Sequence, residues 1–288
     1  MPEAARAQAH DRATTLAFAR FARERFGLAQ PGRNLAALGR RLEEAMAAAR
    51  WDGSAGGFVR ELERAPEDSA LVGTAIEALT NRETRFFRDP EHLRALAGEV
   101  VPKLAAALPP GEPLRILSAG CSSGEETYSL AMLLLDELHL LWGHELVVCG
   151  ADLSQHAVAR ARSGSYPSSA LARAGEGPAQ WPGRFFRRDG ERLVARELLR
   201  ERTSFVRANL LSPLALLPLA PFDLVLCRNV FIYFDAETIA AALRALAGLL
   251  RPGGAIVLGC AETGVVGAPE GWISSTGSLC WLSRPEAA

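Results

Sequence analysis

The sequence predicts an α/β protein in which a small bundle of helices precedes a parallel sheet covered by helices on both faces. Three observations predict it. Residues 12–80 carry apolar side chains at spacings of three and four, the period of amphipathic helices. Beyond residue 111, short apolar runs alternate with helical stretches, the pattern of a buried parallel sheet. Between them Leu114-Arg-Ile-Leu-Ser-Ala-Gly-Cys-Ser-Ser-Gly-Glu-Glu-Thr-Tyr-Ser-Leu130 reads as strand, glycine turn and helix.

In the bundle, Leu16, Phe18, Phe21 and Phe26 precede a break at Gln30-Pro-Gly32, and Leu35, Leu38, Leu42 and Met46 follow it. Two further short helices fit 58–62 and 68–79. Arginines 12, 20, 23, 25, 33, 40 and 41 face the single acid Glu24 over this span. They make either a docking face for an acidic partner or a solvated face in an arginine-rich chain. A charged and aromatic stretch, 81–90, leads to a helix over 92–108 that ends at Pro109-Pro-Gly111. Domain limits follow: 1–80 helical, 81–110 linker and first helix of the second part, 111–288 the α/β domain.

The strands of that domain fall at 115–119, 146–151, 204–208, 222–227 and 255–259. The helices between them include 125–141, 155–162 and 236–250, and 271–275 with 279–282 suggests a closing hairpin. About forty residues, 164–203, interrupt the alternation, too many for a plain crossover loop. Within them 184–187 and 192–195 flank Asp189-Gly190, a strong hairpin signal, so a small antiparallel insert is expected over about 180–200.

Composition narrows the function. With 288 residues, 49% hydrophobic and 23% charged, the chain is ordinary globular protein. A net charge of −1 gives no global pull toward nucleic acid or an anionic membrane, and of 32 basic residues only Lys103 is a lysine. The five cysteines, 121, 149, 227, 260 and 280, lack C-x-x-C spacing and fall in apolar runs, so they read as reduced core residues. Five histidines show no metal spacing, and no serine, histidine and acid arrangement is visible. No signal peptide or apolar run of eighteen residues stands out, which argues against secretion or a membrane span; with the reduced cysteines a cytoplasmic protein is expected, and separately a monomer.

The glycine turn at 120 and 124 suits backbone amides that approach a nucleotide-like ligand, or it is a plain strand-to-helix turn. Asp152, at the end of the second strand, either accepts hydrogen bonds from ribose hydroxyls or caps the next helix. The fourth strand runs into Cys227-Arg-Asn-Val-Phe-Ile-Tyr-Phe-Asp235, which puts an arginine, an asparagine and a tyrosine at the ligand-facing end of a buried strand.

Together these motifs resemble one family. Glu83-Thr-Arg-Phe-Phe-Arg-Asp89, Ser118-Ala-Gly-Cys-Ser-Ser-Gly-Glu-Glu126 and Phe222 to Asp235, with Arg251-Pro-Gly-Gly254 behind them, look like the signatures of the chemotaxis receptor glutamate methyltransferases of the CheR type. The resemblance covers about residues 14–283. It implies a helical N-terminal domain, a Rossmann-like S-adenosylmethionine-binding domain and an inserted antiparallel subdomain. It also implies that Ala119, Gly120 and Glu125 line the methionine and sulfonium end of the cofactor, that Asp152 holds the ribose, and that Asn209 and Leu210 flank the adenine. Thr84, Arg88, Arg228 and Tyr233 would close over the amino acid portion and the methyl group, with Arg88 and Tyr233 at the reacting centre. No metal is implied.

The reaction implied is esterification of glutamate side chains on the cytoplasmic helices of a methyl-accepting chemotaxis receptor, or a similar coiled-coil signalling protein. A small-molecule methyltransferase and a non-catalytic cofactor-binding protein are the alternatives. Near-zero net charge and the lack of an Asn-Pro-Pro-Tyr-like tetrapeptide after the fourth strand count against nucleic acid. Two departures stand out: Arg82 occupies the position where many members carry asparagine, and the Asp189-Gly190 hairpin is shorter than in members that tether to a receptor tail. Docking without such a tether, through the helical part and its Arg33, Arg40 and Arg41, is therefore expected.

Overall fold

A computed structural model describes residues 12–29, 34–81, 83–172, 181–262, 272–276 and 279–284. They fall into two compact units, Met1–Asn81 with Tyr233–Asp235, and Arg82–Ile232 with Ala236–Ala288.

The first unit holds α1 (Arg12–Phe26), α2 (Leu35–Ala48), α3 (Ala55–Arg64) and α4 (Ala70–Leu79). Three of these helices start at polar caps whose side chains accept a backbone N–H: Asn34 from Ala37, Ser54 from Gly57 and Ser69 from Val72. Phe18, Phe21, Phe26, Leu38, Leu42, Phe58, Leu62 and Ile76 are buried as the periodicity predicts, while Leu16 is exposed. Several of the arginines are absorbed by the bundle itself. Arg25 donates to the Leu62 and Ala65 carbonyls at 3.2 and 2.8 Å and lies against the rings of Phe21 and Phe26. Arg41 donates to the Leu79 carbonyl. These two guanidiniums therefore close the carboxyl ends of α3 and α4, where carbonyls lack helical partners and positive charge is favoured. Arg20 pairs with Glu63 and Arg23 with Asp235, and Arg40 is exposed. Arg33 lies outside the described residues.

The second unit opens with α5 (Pro90–Ala95), a π turn (Leu96–Val100) and α6 (Val101–Ala107). The sequence pattern gave one helix over 92–108. Pro102 has no N–H and its ring crowds the carbonyl of Gly98, so the ladder widens and Val101 donates instead to Leu96. Then come β1 (Leu114–Ala119), α7 (Glu125–Asp136), β2 (Leu146–Asp152), α8 (Gln155–Ser163), β3 (Ser165–Pro167), α9 (Ser168–Ala172), α10 (Trp181–Phe185), β4 (Phe186–Asp189), β5 (Arg192–Ala195), α11 (Glu197–Arg200), β6 (Thr203–Arg207), β7 (Phe222–Cys227), α12 (Ala236–Ala247), β8 (Leu250–Leu258), β9 (Ile273–Thr276) and β10 (Cys280–Ser283). The helix expected over 125–141 ends at Asp136: Glu137 leaves helical geometry and a 3-10 turn, Leu138–Leu141, follows.

The sheet order is β6-β2-β1-β7-β8-β10-β9. The first five strands are parallel, and β10 and β9 close the edge antiparallel as a hairpin. Order reverses beside β1, between β2 and β7, which is where open α/β sheets bind ligands at the carboxyl ends of their strands. The insert is a three-stranded antiparallel sheet, β3-β5-β4. Its β4–β5 hairpin is the one predicted around Asp189-Gly190. β3 was not legible, because Ser-Tyr-Pro is too short to alternate.

Candidate active site

The turn after β1 is locked from within. Gly120 and Cys121 both donate to the Ala151 carbonyl at 2.8 and 2.9 Å, and Ser122 donates to Asp152 Oδ2 at 2.7 Å. Asp152 Oδ1 accepts from Ser154 N at 2.9 Å, so its carboxylate ties the ends of β1 and β2 together. The helix cap is Ser154, whose hydroxyl accepts from Ala157 N. The amides of Gly120, Cys121 and Ser122 are thus engaged by protein, and the glycines meet a steric need of the turn itself. Gly120 sits at φ +77°, and a Cβ there would lie 2.3 Å from Val230 Cγ2. Gly124, at φ +94°, leaves no room beside Ala161 and Tyr166. Both positions need the left-handed backbone and close packing that glycine allows.

Glu125 opens α7, is buried, and accepts a 2.7 Å hydrogen bond from the Ser123 hydroxyl. Burial pushes its carboxyl above the usual range, with the Ser123 hydrogen bond and Arg160 opposing the shift.

Arg88 sits on a strained segment. Its neighbours Phe87 and Asp89 both hold positive φ, 51° and 53°, uncommon for residues with side chains. Four contacts of Phe86 and Phe87 brace the segment. Phe86 packs edge-on against Tyr166 and Phe186, Phe87 packs against Trp181, and Phe87 N donates to Ser129 Oγ at 2.9 Å. That is the use of the paired phenylalanines.

Thr84, Arg88 and Glu125 share the wall of a cavity of about 580 Å³ with Glu83, Asp89 and Arg160. Ligand sites commonly enclose about 300–1,000 Å³. Its walls carry guanidiniums and carboxylates together.

Arg228, expected to close over the ligand, stands behind the cavity wall rather than on it. Its side chain is fully buried; Nη1 donates to Glu126 Oε2 at 2.9 Å, and Nη2 to the Arg88 carbonyl at 3.0 Å and Asp89 Oδ2 at 2.9 Å. Ser118 Oγ donates to the other Glu126 oxygen at 2.8 Å. A buried guanidinium needs its donors filled; two carboxylates and a carbonyl take those of Nη1 and Nη2, while the buried Nε has no hydrogen-bond partner. Arg228 therefore fixes the backbone of Arg88 from behind. Glu126 and Asp89 went unnoticed in the sequence as its partners, although both stand inside the quoted motifs. His92, on the next helical turn, is pushed down to about 4 by burial and then by the Arg228 charge, so it is neutral near neutral pH.

Ala119 is buried at the end of β1. Asn209 and Leu210 are buried just after β6, where Asn209 Oδ1 accepts from Leu211 N at 3.1 Å. Tyr233 groups with the helical unit, and its hydroxyl accepts from Asn81 Nδ2 at 3.1 Å. Arg82 lies outside the described residues.

Residues 82–275 match the family described as "CheR methyltransferase, SAM binding domain". The chain belongs to this family. As a CheR methyltransferase it is an enzyme that uses S-adenosylmethionine. It is 38% identical over 193 residues to a protein named Chemotaxis protein methyltransferase 1 of Pseudomonas aeruginosa, covering 65% of this chain and 68% of that one. With Chemotaxis protein methyltransferase Cher2 of Pseudomonas putida it shares 34% over 215 residues, 73% and 75% of the two chains. A Probable biofilm formation methyltransferase WspC of Pseudomonas putida is 36% identical over 245 residues, 85% of this chain and 55% of that relative.

The cavity walls fit the cofactor. Its methionine end carries an ammonium and a carboxylate, and Glu125 and Arg88 face one space with opposite charges. No described helix is long and apolar enough to cross a membrane.

Proposed function

We propose that this CheR methyltransferase esterifies glutamate side chains on the cytoplasmic helices of a chemoreceptor-like protein. The observation that carries the proposal is Arg88, a guanidinium on the wall of a cofactor-sized cavity whose backbone is held by Arg228 and two aromatic anchors. The names of the relatives from Pseudomonas aeruginosa and Pseudomonas putida support the receptor as partner.

Bound S-adenosylmethionine supplies a methyl group on a positively charged sulfur. A substrate glutamate, with a pKa of about 4.3, is already ionised at neutral pH, so its oxygen needs no general base. What remains for the protein is position, which lowers barriers by up to about 7–11 kcal/mol. Arg88 closes over the cofactor's amino acid end beside the methyl group, and its paired donors also fit the planar substrate carboxylate and orient it there. Glu125 takes the cofactor's ammonium, Asp152 the ribose, and Asn209 with Leu210 the adenine. Arg40, exposed on α2, is the basic residue that meets an acidic receptor helix.

Radiolabelled cofactor incubated with receptor cytoplasmic fragments should leave base-labile methyl ester on glutamate, and Arg88→Ala should lower that incorporation at least a hundredfold. Cofactor binding with no fragment labelled would overturn the receptor assignment. The long match to a protein named for biofilm formation favours a second reading, the same chemistry on a receptor whose output is not motility. Fragments of both receptor kinds, compared by kcat/KM, separate the two.

A further inference from the structure

Glu262 is a fully buried carboxylate that the mechanism above does not use. It ends the 3-10 turn Cys260–Glu262 after β8, and its side chain turns back toward the loop that follows β7. Oε1 accepts from Val230 N at 2.7 Å and Phe231 N at 3.0 Å, and Oε2 accepts from Gly259 N at 2.8 Å. Two successive amides on one oxygen make a small anion-binding nest, here filled from within the chain. Gly259 is part of the fit, because a Cβ there would lie 2.5 Å from Glu262 Oε2 and 3.2 Å from Asn229 N. Asn229 itself turns the loop at φ 60°.

The loop so held touches the candidate cofactor site on two sides. Arg228, at its start, grips the Arg88 carbonyl and Asp89. Val230 sets its Cγ2 where a Cβ on Gly120 would otherwise stand. The Arg88 segment and the Gly120 turn come from distant stretches of chain, and residues 228–231 are packed against both. A charge-assisted acceptor shared among three amides fixes such a loop more firmly than neutral hydrogen bonds do. Burying a carboxylate without those donors would be strongly unfavourable, so the three bonds and the loop geometry stand or fall together.

We propose that Glu262 is a positioning residue for the cofactor, holding residues 228–231 so that Arg228 and Val230 set the spacing between Arg88 and the Gly120 turn. This rests on the cofactor site assigned above. Glu262→Gln keeps the volume and the Oε1-like acceptor but turns an amide toward Gly259 N–H.

Calorimetry with S-adenosylhomocysteine reads the effect without turnover. Glu262→Gln should raise Kd tenfold or more at a temperature where circular dichroism shows the variant fully folded, and Glu262→Asp should not rescue it, being one methylene short. If the Gln variant does not fold, Val230→Ala, which leaves the carboxylate and its donors in place, should raise Kd at least threefold by loosening the contact on Gly120. An unchanged Kd in whichever variant is folded, with only a lowered melting temperature, overturns the proposal. Arg88→Ala serves as reference. If its Kd rises while the Glu262 and Val230 variants bind normally, the positioning role alone fails; if all bind normally, the site assignment fails.

Discussion

At the scale of the residue, Glu125 combines a buried carboxyl, a raised pKa and a place on the cavity wall. Charge sets the consequence. If its anion holds the cofactor's ammonium, protonation removes that partner, so affinity falls as pH drops through the raised pKa, at higher pH than an ordinary carboxylate would show. The sign is opposite for folding, where a raised acid pKa means the folded state gains stability as pH falls. Calorimetric titration of S-adenosylhomocysteine from pH 8 to pH 5 should therefore show weakening toward acid in the wild type. Glu125→Gln should bind roughly tenfold more weakly at pH 8, about 1.4 kcal/mol, and vary little across the range. An acid-side decline of equal size in Glu125→Gln would place the titrating group elsewhere.

At the scale of the element, periodicity and caps made the helices of the first unit legible, since Asn34, Ser54 and Ser69 each precede an amphipathic run. The parallel strands were legible from their near-continuous apolar runs, and the insert hairpin from Asp189-Gly190. Motif spacing carried Thr84, Arg88 and Glu125 to a common cavity. What the sequence hid was the local π turn beside Pro102, the three-residue β3, and, at longer range, the buried roles of Arg228 and Glu262, whose loop partners lie 31 to 140 positions away. The arginines of 12–41 show the same limit, because charge alone cannot say which guanidiniums face inward. Arg25 is one that does, as a cap on α3 and a partner of Phe21 and Phe26. Arg25→Ala should lower the stability of the helical unit by about 1.5–3 kcal/mol, the range for hydrogen bonds to a charged donor. Urea unfolding followed by circular dichroism checks it; a midpoint unchanged with unchanged slope would mean the carbonyls find water at no loss.

At the scale of the whole molecule, a net charge of −1 gives no overall field to steer an acidic partner, so any steering must come from a local patch. With Arg25 and Arg41 committed to helix ends, and Arg20 and Arg23 paired with Glu63 and Asp235, Arg40 is the exposed one of the two described docking candidates, Arg40 and Arg41. The substitution that tests docking is thus Arg40→Glu alone, because changing Arg41 would also uncap α4. Reversing one exposed charge against an acidic helix should lower kcat/KM for receptor fragments about threefold to tenfold at low salt. Exposed charges are screened over about 8–10 Å near physiological ionic strength, so the difference from wild type should shrink as salt rises. Cofactor Kd should stay the same throughout, since the exposed Arg40 belongs to the helical unit and the cofactor cavity is lined by residues of the other. A loss of receptor methylation that persists unchanged at high salt would point to a packing defect in α2, and no loss at low salt would remove Arg40 from the docking face.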